Sequence, residues 1–367
     1  MKTDQPAEAN SPWPDSGGPV LFLLDADNDV ERDSLTDWIE STRPEDRQPA
    51  DKLVLPILYG RKGRIDIGEL PEKLGMPDDT QVAPLRLVWL PRRSRKQNRP
   101  RMRDLFLGDP RHPGGLAARL IMRFSPHRAR RIVGTPASIA ELREQYAANR
   151  PPDEDESVER FAAFVVRRAG VALDVAERRF QGNRYKIPRF VAHSLRSSPK
   201  FNAAMQELAE ELGRPLGQLH KEARGYMKEM IAVPNSFFID WMASIARFVM
   251  SRGYENQLVF DEADLERTRK ILRDHPSALL WTHKSHIDGL AVVSMLYEND
   301  LPAPHSMGGI NMAFALFATL GRKSGVIFIR RTFADNPVYK LVFRHYLGYL
   351  MEKRFPFSWA FEGTRSR

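Results

Sequence analysis

Apolar residues in this chain gather into short runs near both ends and fall at helical spacing between them. Val20–Ala26, Leu53–Gly60 and Leu85–Leu90 are brief, apolar and bounded by breakers, which predicts buried strands. Asp29–Arg43 carries apolar positions at helical spacing, so Val20–Leu90 predicts a small α/β unit. Residues 1–18, rich in Pro, Gly, Ser and Asp, read as a flexible tail. Arg92–Arg103 holds seven basic residues and no aromatic, and Pro- and Gly-containing sequence follows to Gly115, which predicts a loop.

Residues 137–251 keep a helical period through 138–149, 156–181, 201–213, 216–232 and 236–253, with Pro or Gly as punctuation. After Gly253 the pattern alternates. Asp261 is placed to cap a helix running to Asp274, with Asp264 completing a capping box. Strands are predicted at 277–283, 304–309, 326–331 and 357–363, with helices at 285–298, 311–323 and 336–354 between them. Strands alternating with helices require right-handed crossovers and a largely parallel sheet. The predicted fold class is therefore α/β: a tail 1–18, an α/β region 19–136 with a basic loop, a helical region 137–253, and a mostly parallel sheet domain begun in 254–367.

A chain of 367 residues has room for two or three cores. Cysteine is absent, which removes disulfides, a thiolate nucleophile and Cys-ligated zinc, and leaves a cytoplasmic setting as the default. The N-terminus lacks the layout of a secretory signal, and no apolar run approaches bilayer length, so any membrane contact is expected to be peripheral. The net charge of +9 favours an anionic partner: nucleic acid, an anionic lipid surface or a phosphorylated substrate.

Ligands of parallel sheets collect at the carboxyl ends of the strands. Three polar segments stand there: His283 to Asp288 after the first predicted strand, Arg330 and Arg331 after the third, and Glu362 to Arg367 after the fourth. An imidazole can take a proton from an attacking hydroxyl, a carboxylate can hold that imidazole in its useful tautomer, and guanidinium forks grip phosphate. Together these groups suit acyl transfer to a phosphorylated alcohol. With Ser285 as N-cap, Asp288 falls in the first turn of the next helix, where its carboxylate can fold back toward the imidazole. That helix N-terminus also supplies N–H groups near a reacting carbonyl.

The segments HKSHID, GVIFIRR and FEGTRSR resemble, in order and spacing, three blocks of the glycerophospholipid acyltransferase superfamily, and the combination is similar to the bacterial PlsB-type glycerol-3-phosphate 1-O-acyltransferases. The motif-level likeness covers about Leu279–Arg367. The resemblance implies His283 as general base with Asp288 as its partner. It implies Arg330, Arg331, Glu362, Gly363, Thr364 and Arg365 as the pocket for glycerol 3-phosphate. It also implies direct transfer from acyl-CoA or acyl carrier protein without a covalent acyl-enzyme, no metal and no bound cofactor, and a peripheral place on the cytoplasmic side of the cell membrane. Many relatives carry Tyr where this chain has Gly289, and a second Gly where it has Thr364. The family continues with a fourth block, so the resemblance implies an N-terminal fragment with little or no activity alone.

Plainer readings stand beside these. Ser285 and Asp288 satisfy a capping box without catalysis. His286 reads as a structural histidine. His283, His286 and Asp288 are chemically suited to zinc, but no second His/Asp cluster of convincing spacing completes a site. Arg330 and Arg331 also fit a solvated strand end, and Arg365 and Arg367 a surface ion pair with Glu362. Arg92–Arg103 fits RNA, anionic lipid or solvent alone; without interleaved aromatics it makes no stacking platform. A related acyltransferase acting on lysophosphatidate or dihydroxyacetone phosphate is the alternative enzyme. A basic module for membrane or nucleic acid is the alternative from another class.

Overall fold

The first strand explains the first half of the molecule. In the computed structural model, which describes residues 10–57, 66–90, 111–151, 155–253, 259–282, 284–285, 287–309, 315–330, 332–333 and 335–360, β1 (Val20–Asp25) is buried along its whole length. Its alternate residues serve two cores, as period-two geometry requires. Val20, Phe22 and Leu24 pack with Leu35, Trp38 and Ile39 of α1 (Asp29–Ser41), whereas Leu21 and Leu23 share a core with Ile139, Leu142, Phe161 and Val165. Those last four belong to α4 (Ile139–Asn149) and α5 (Val158–Gln181).

The sheet runs β2-β1-β3-β4, with β2 (Asp51–Val54) and β3 (Gln81–Trp89) parallel to β1, and β4 (Ala129–Val133) antiparallel to β3. A two-residue β5 (Ala137–Ser138) also pairs with β3. Between β2 and β3 lies a single helical turn, α2 (Leu70–Lys73). The second predicted strand is shorter than its apolar run, because Pro56 has no N–H for a ladder and Ile57 donates instead to Asp25 Oδ1 at 2.7 Å. Residues 10–18, expected to be a flexible tail, are held. The Trp13 indole N–H donates to the Ile39 carbonyl, its ring packs edge-on against Phe22, and Arg47 donates to the carbonyls of Pro14 and Gly18. The basic run Arg92–Arg103 lies outside the described residues.

Arg86 on β3 is 3% exposed and joins three carboxylates: Asp25 at 2.6 Å, Glu177 at 2.6 Å and Asp174 at 3.1 Å. Burial opposes its charge, but the three carboxylates outweigh burial and raise its pKa. Helix α5, which carries Asp174 and Glu177, is thereby tied to the sheet.

The chain divides into two compact units, 1–181 and 182–367, and the helical stretch 137–253 is distributed over both. In the second unit β6 (Ala278–Trp281), β7 (His305–Gly309), β8 (Val326–Ile329) and β9 (Phe357–Ala360) form an all-parallel sheet in the order β6-β9-β7-β8. This agrees with the α/β class expected. Ile327 and Phe357 share one core with Val338, Tyr339, Val342, Tyr346 and Leu350. The same core takes in Leu195, Phe201, Leu219 and Met230. The helices behind it are α6 (Val191–Arg196), α7 (Pro199–Leu212), α8 (Leu216–Met230) and, later in the chain, α13 (Pro337–Glu352). Tyr346 on α13 accepts the Ala232 N–H at 3.1 Å, just past the end of α8.

Helix α9 (Ser236–Gly253) lies against α11 (Asp288–Glu298) through buried Asp240, whose Oδ1 accepts the hydroxyls of Tyr185 and Tyr297, each at 2.6 Å. Burial and that carboxylate push the Tyr297 phenol up to about 12. Asp261 caps α10 (Glu262–Asp274) as expected, accepting the N–H groups of Ala263 and Asp264. Helix α12 (Ala315–Lys323) precedes β8.

His305 opens β7 in a fully enclosed position, edge-on to Phe355. Burial pushes its imidazole down to about 4, offset only in part by the nearby Pro356 carbonyl. The unfolded chain takes up this proton near the ordinary value of 6.5, whereas the folded chain refuses it until about 4. The contribution is therefore intact above pH 6.5 and is lost as pH falls through that window, on the order of 3 kcal/mol in all. Urea midpoints of His305→Leu, compared with the parent between pH 7 and 4, are expected to show a shallower decline; parallel declines would exclude this role.

Candidate active site at the carboxyl edge of the second sheet

Because the four described strands of the second unit are parallel, their carboxyl ends share one edge. The three polar segments found in the sequence follow β6, β8 and β9. Strands β6 and β8 are the outer pair, so three inter-strand spacings, roughly 14 Å, separate the ends that precede His283 and Arg330. Groups meeting there must reach inward from both sides.

Asp288 opens helix α11. Its Oδ2 accepts the backbone N–H of Lys284 at 2.8 Å and of Ser285 at 2.6 Å. This is the carboxylate half of the expected capping box. The hydroxyl half differs: Ser285 Oγ accepts from Ile287, and the cap position is Ile287. A carboxylate that gathers two successive N–H groups closes the turn without a side-chain cap. Asp288 is thus fixed in rotamer through one oxygen, and Oδ1 makes no hydrogen bond to another described residue.

Gly289 faces the Trp281 ring, which a Cβ would meet at 3.4 Å. The Trp281 indole N–H donates to Ser358 on β9 at 3.1 Å. Trp281, the last residue of β6, thus packs against the first turn of α11 at Gly289.

Arg330 follows β8. Glu229 of α8 holds it in a two-pronged ion pair, Nε to Oε1 at 2.7 Å and Nη2 to Oε2 at 2.6 Å. This pairing keeps the guanidinium pKa above its usual value. The rings of Tyr226 and Tyr339 lie 5.1 and 5.3 Å from its guanidinium carbon, and the Arg330 backbone N–H donates to Tyr339 Oη. Asn336, the cap of α13, donates to Tyr226 Oη at 2.6 Å, and Tyr226 donates in turn to Glu222 at 2.9 Å. Arg330 is consequently held in one plane by a fork and two rings.

His283, His286, Arg331, Glu362, Gly363, Thr364 and Arg365 lie outside the described residues. Among the sequence candidates, Asp288 and Arg330 are therefore the two whose surroundings are described. Glu229 and Tyr226 escaped sequence reasoning. They sit three apart near the end of an ordinary amphipathic helix, and nothing local marks a partner 101 residues away. Among the described residues no group of three His, Asp or Glu is arranged to hold a metal.

Residues 262–367, which contain this edge, match the family model described as Acyltransferase. This segment is similar to the acyltransferase family. Its relatives agree with the PlsB type expected from the motifs. A Mycobacterium tuberculosis protein named as an acyltransferase, plsB1, is 31% identical over 167 residues, covering 46% of this chain and 26% of the relative. The Mycobacterium bovis protein of the same name gives the same figures. A protein of Ectopseudomonas mendocina named glycerol-3-phosphate acyltransferase is 28% identical over 291 residues, 79% of this chain and 33% of its own length. The chain thus spans a quarter to a third of the curated relatives it matches.

Proposed function

We propose that the second unit provides the acceptor side of a glycerol-3-phosphate 1-O-acyltransferase. The observation that carries this reading is the Asp288 carboxylate, folded back onto the N–H groups of Lys284 and Ser285 at the same sheet edge as the planar, preorganised Arg330. In this reading His283 takes the proton of the sn-1 hydroxyl while the second carboxylate oxygen of Asp288 steadies the imidazole. The alkoxide attacks the thioester carbonyl of acyl-CoA or an acyl carrier protein, the carbon–sulfur bond breaks, and the proton passes to the departing thiolate. Arg330, Arg331 and the segment Glu362–Arg365 grip the phosphate and the glycerol hydroxyls. The chemistry needs neither a metal nor a bound cofactor.

No helix among the described residues is long and apolar enough to cross a membrane. The reading places the enzyme peripherally on the cytoplasmic side of the cell membrane, where a lipid product is released.

In the protein as its host makes it, label from acyl-CoA is expected in 1-acyl-glycerol 3-phosphate. Label in dihydroxyacetone phosphate or lysophosphatidate instead, with glycerol 3-phosphate inert, would replace the acceptor. No transfer to any of them, with vesicle or RNA binding retained, would sink the enzymatic reading. Glu229→Ala releases the guanidinium plane without touching the hydroxyl to be acylated. Its KM for glycerol 3-phosphate should rise roughly five- to thirtyfold, with the donor KM unchanged. Equal changes in both constants would argue that Glu229 only stabilises the fold.

A further inference from the structure

The first unit carries a surface that the acyl-transfer reading does not use. Helix α3 (Gly115–Phe124) turns one side inward: Ala118 is buried, and Ile121 and Met122 pack with Leu87, Trp89 and Ala129. On the outer side Leu116, Leu120 and Phe124 are 78%, 58% and 70% exposed. Spaced by four, they form one stripe along the helix. Single exposed apolar residues are ordinary, but three in a row on one short helix form a patch. Arg119 and Arg123, both exposed, border the stripe on one side, and the Arg123 guanidinium lies 5.6 Å from the Phe124 ring centroid.

We infer that α3 is an interfacial helix that lays Leu116, Leu120 and Phe124 into an anionic phospholipid surface. The groove beside the stripe, formed with α1 and β4, is lined by Arg119, Arg123, Arg130 and Arg131 against Asp33 and Asp37, so the charge balance there is positive. Apolar side chains flanked by long basic ones match a bilayer boundary, where the rings and branched chains enter the acyl region and the guanidiniums stay at the phosphates.

Two other occupants fit less well. A second copy meeting the same face would set Arg119 and Arg123 against their own counterparts, a like-charge contact. A ten-residue helix is about 15 Å long, so its outer face offers roughly 150 Å² against the roughly 800 Å² per partner of a stable protein interface. A bilayer requires no such matched area. The inference rests on α3 and the groove beside it; it assigns a surface to the membrane contact in the acyl-transfer reading, and the transfer chemistry of the second unit can hold without it.

The test is flotation of the whole chain with phosphatidylcholine vesicles, with and without about a third phosphatidylglycerol. The parent is expected to partition onto the anionic vesicles and to release as salt rises. Leu120→Ser with Phe124→Ser should lower that partition roughly tenfold or more. Arg119→Glu with Arg123→Glu should lower it on anionic vesicles while leaving the weak background on neutral ones. Because all four positions are exposed, circular dichroism and melting of both variants should match the parent. Undiminished flotation of both variants would overturn the inference. So would failure of the parent to float, or an altered sedimentation coefficient in the serine variant with vesicle binding intact, which would mark a contact between copies.

Discussion

Asp288→Asn, and separately His283→Ala, should each lower acyl transfer to glycerol 3-phosphate by roughly a thousandfold or more while the protein still melts within a few degrees of the parent. The Asn substitution separates the two duties of this side chain. Its amide oxygen can still accept from Lys284 and Ser285, so the turn after β6 is kept. What disappears is the negative charge that would hold an imidazole in one tautomer and stabilise it once protonated. A capping role alone predicts the opposite pattern, a modest loss of stability with turnover retained. Initial rates and melting curves on the same preparations decide between them. Near-normal rates in both variants would remove the base and its companion from the mechanism.

Arg86→Met should destabilise the first unit by about 3–5 kcal/mol. The guanidinium is the shared counter-charge of Asp25, Asp174 and Glu177 in an almost fully enclosed site. Methionine fills much the same volume but removes the charge that the three carboxylates share. Arg86→Lys is expected to recover part of the loss, since an ammonium restores the charge without the fork that spans β1 and α5. The denaturant midpoint of the first unit's transition measures both effects. A loss below about 1 kcal/mol for the methionine variant would mean that water, and not the guanidinium, balances these carboxylates.

Glu229 and Arg86 show why part of this protein was legible in sequence and part was not. The six apolar residues of β1 announce a strand buried on both faces, because each must find a partner away from water. The alternation of strand and helix after Gly253 announces a parallel sheet, and the edge of that sheet is where Asp288 and Arg330 were sought and where they lie. Helix α3 is the counter-example. Its ten residues begin where the predicted Pro- and Gly-containing loop ends, and 116–136 carry no predicted element. Trp13 is another. A composition typical of a tail conceals one ring that docks on Phe22.

The amino-acid order by itself determined the local elements and where along the chain the candidate reacting groups stand, since both are properties of spacing and side-chain chemistry over a few residues. Only the tertiary structure decided that β9, the last of the described strands, enters between β6 and β7. It alone decided that Glu229 of α8 grips Arg330, and that one arginine of β3 gathers three carboxylates. Periodicity carries information over a turn of helix or a few strand residues. Pairings across sixty to a hundred residues are chosen by which buried faces and charges satisfy one another once the chain has closed.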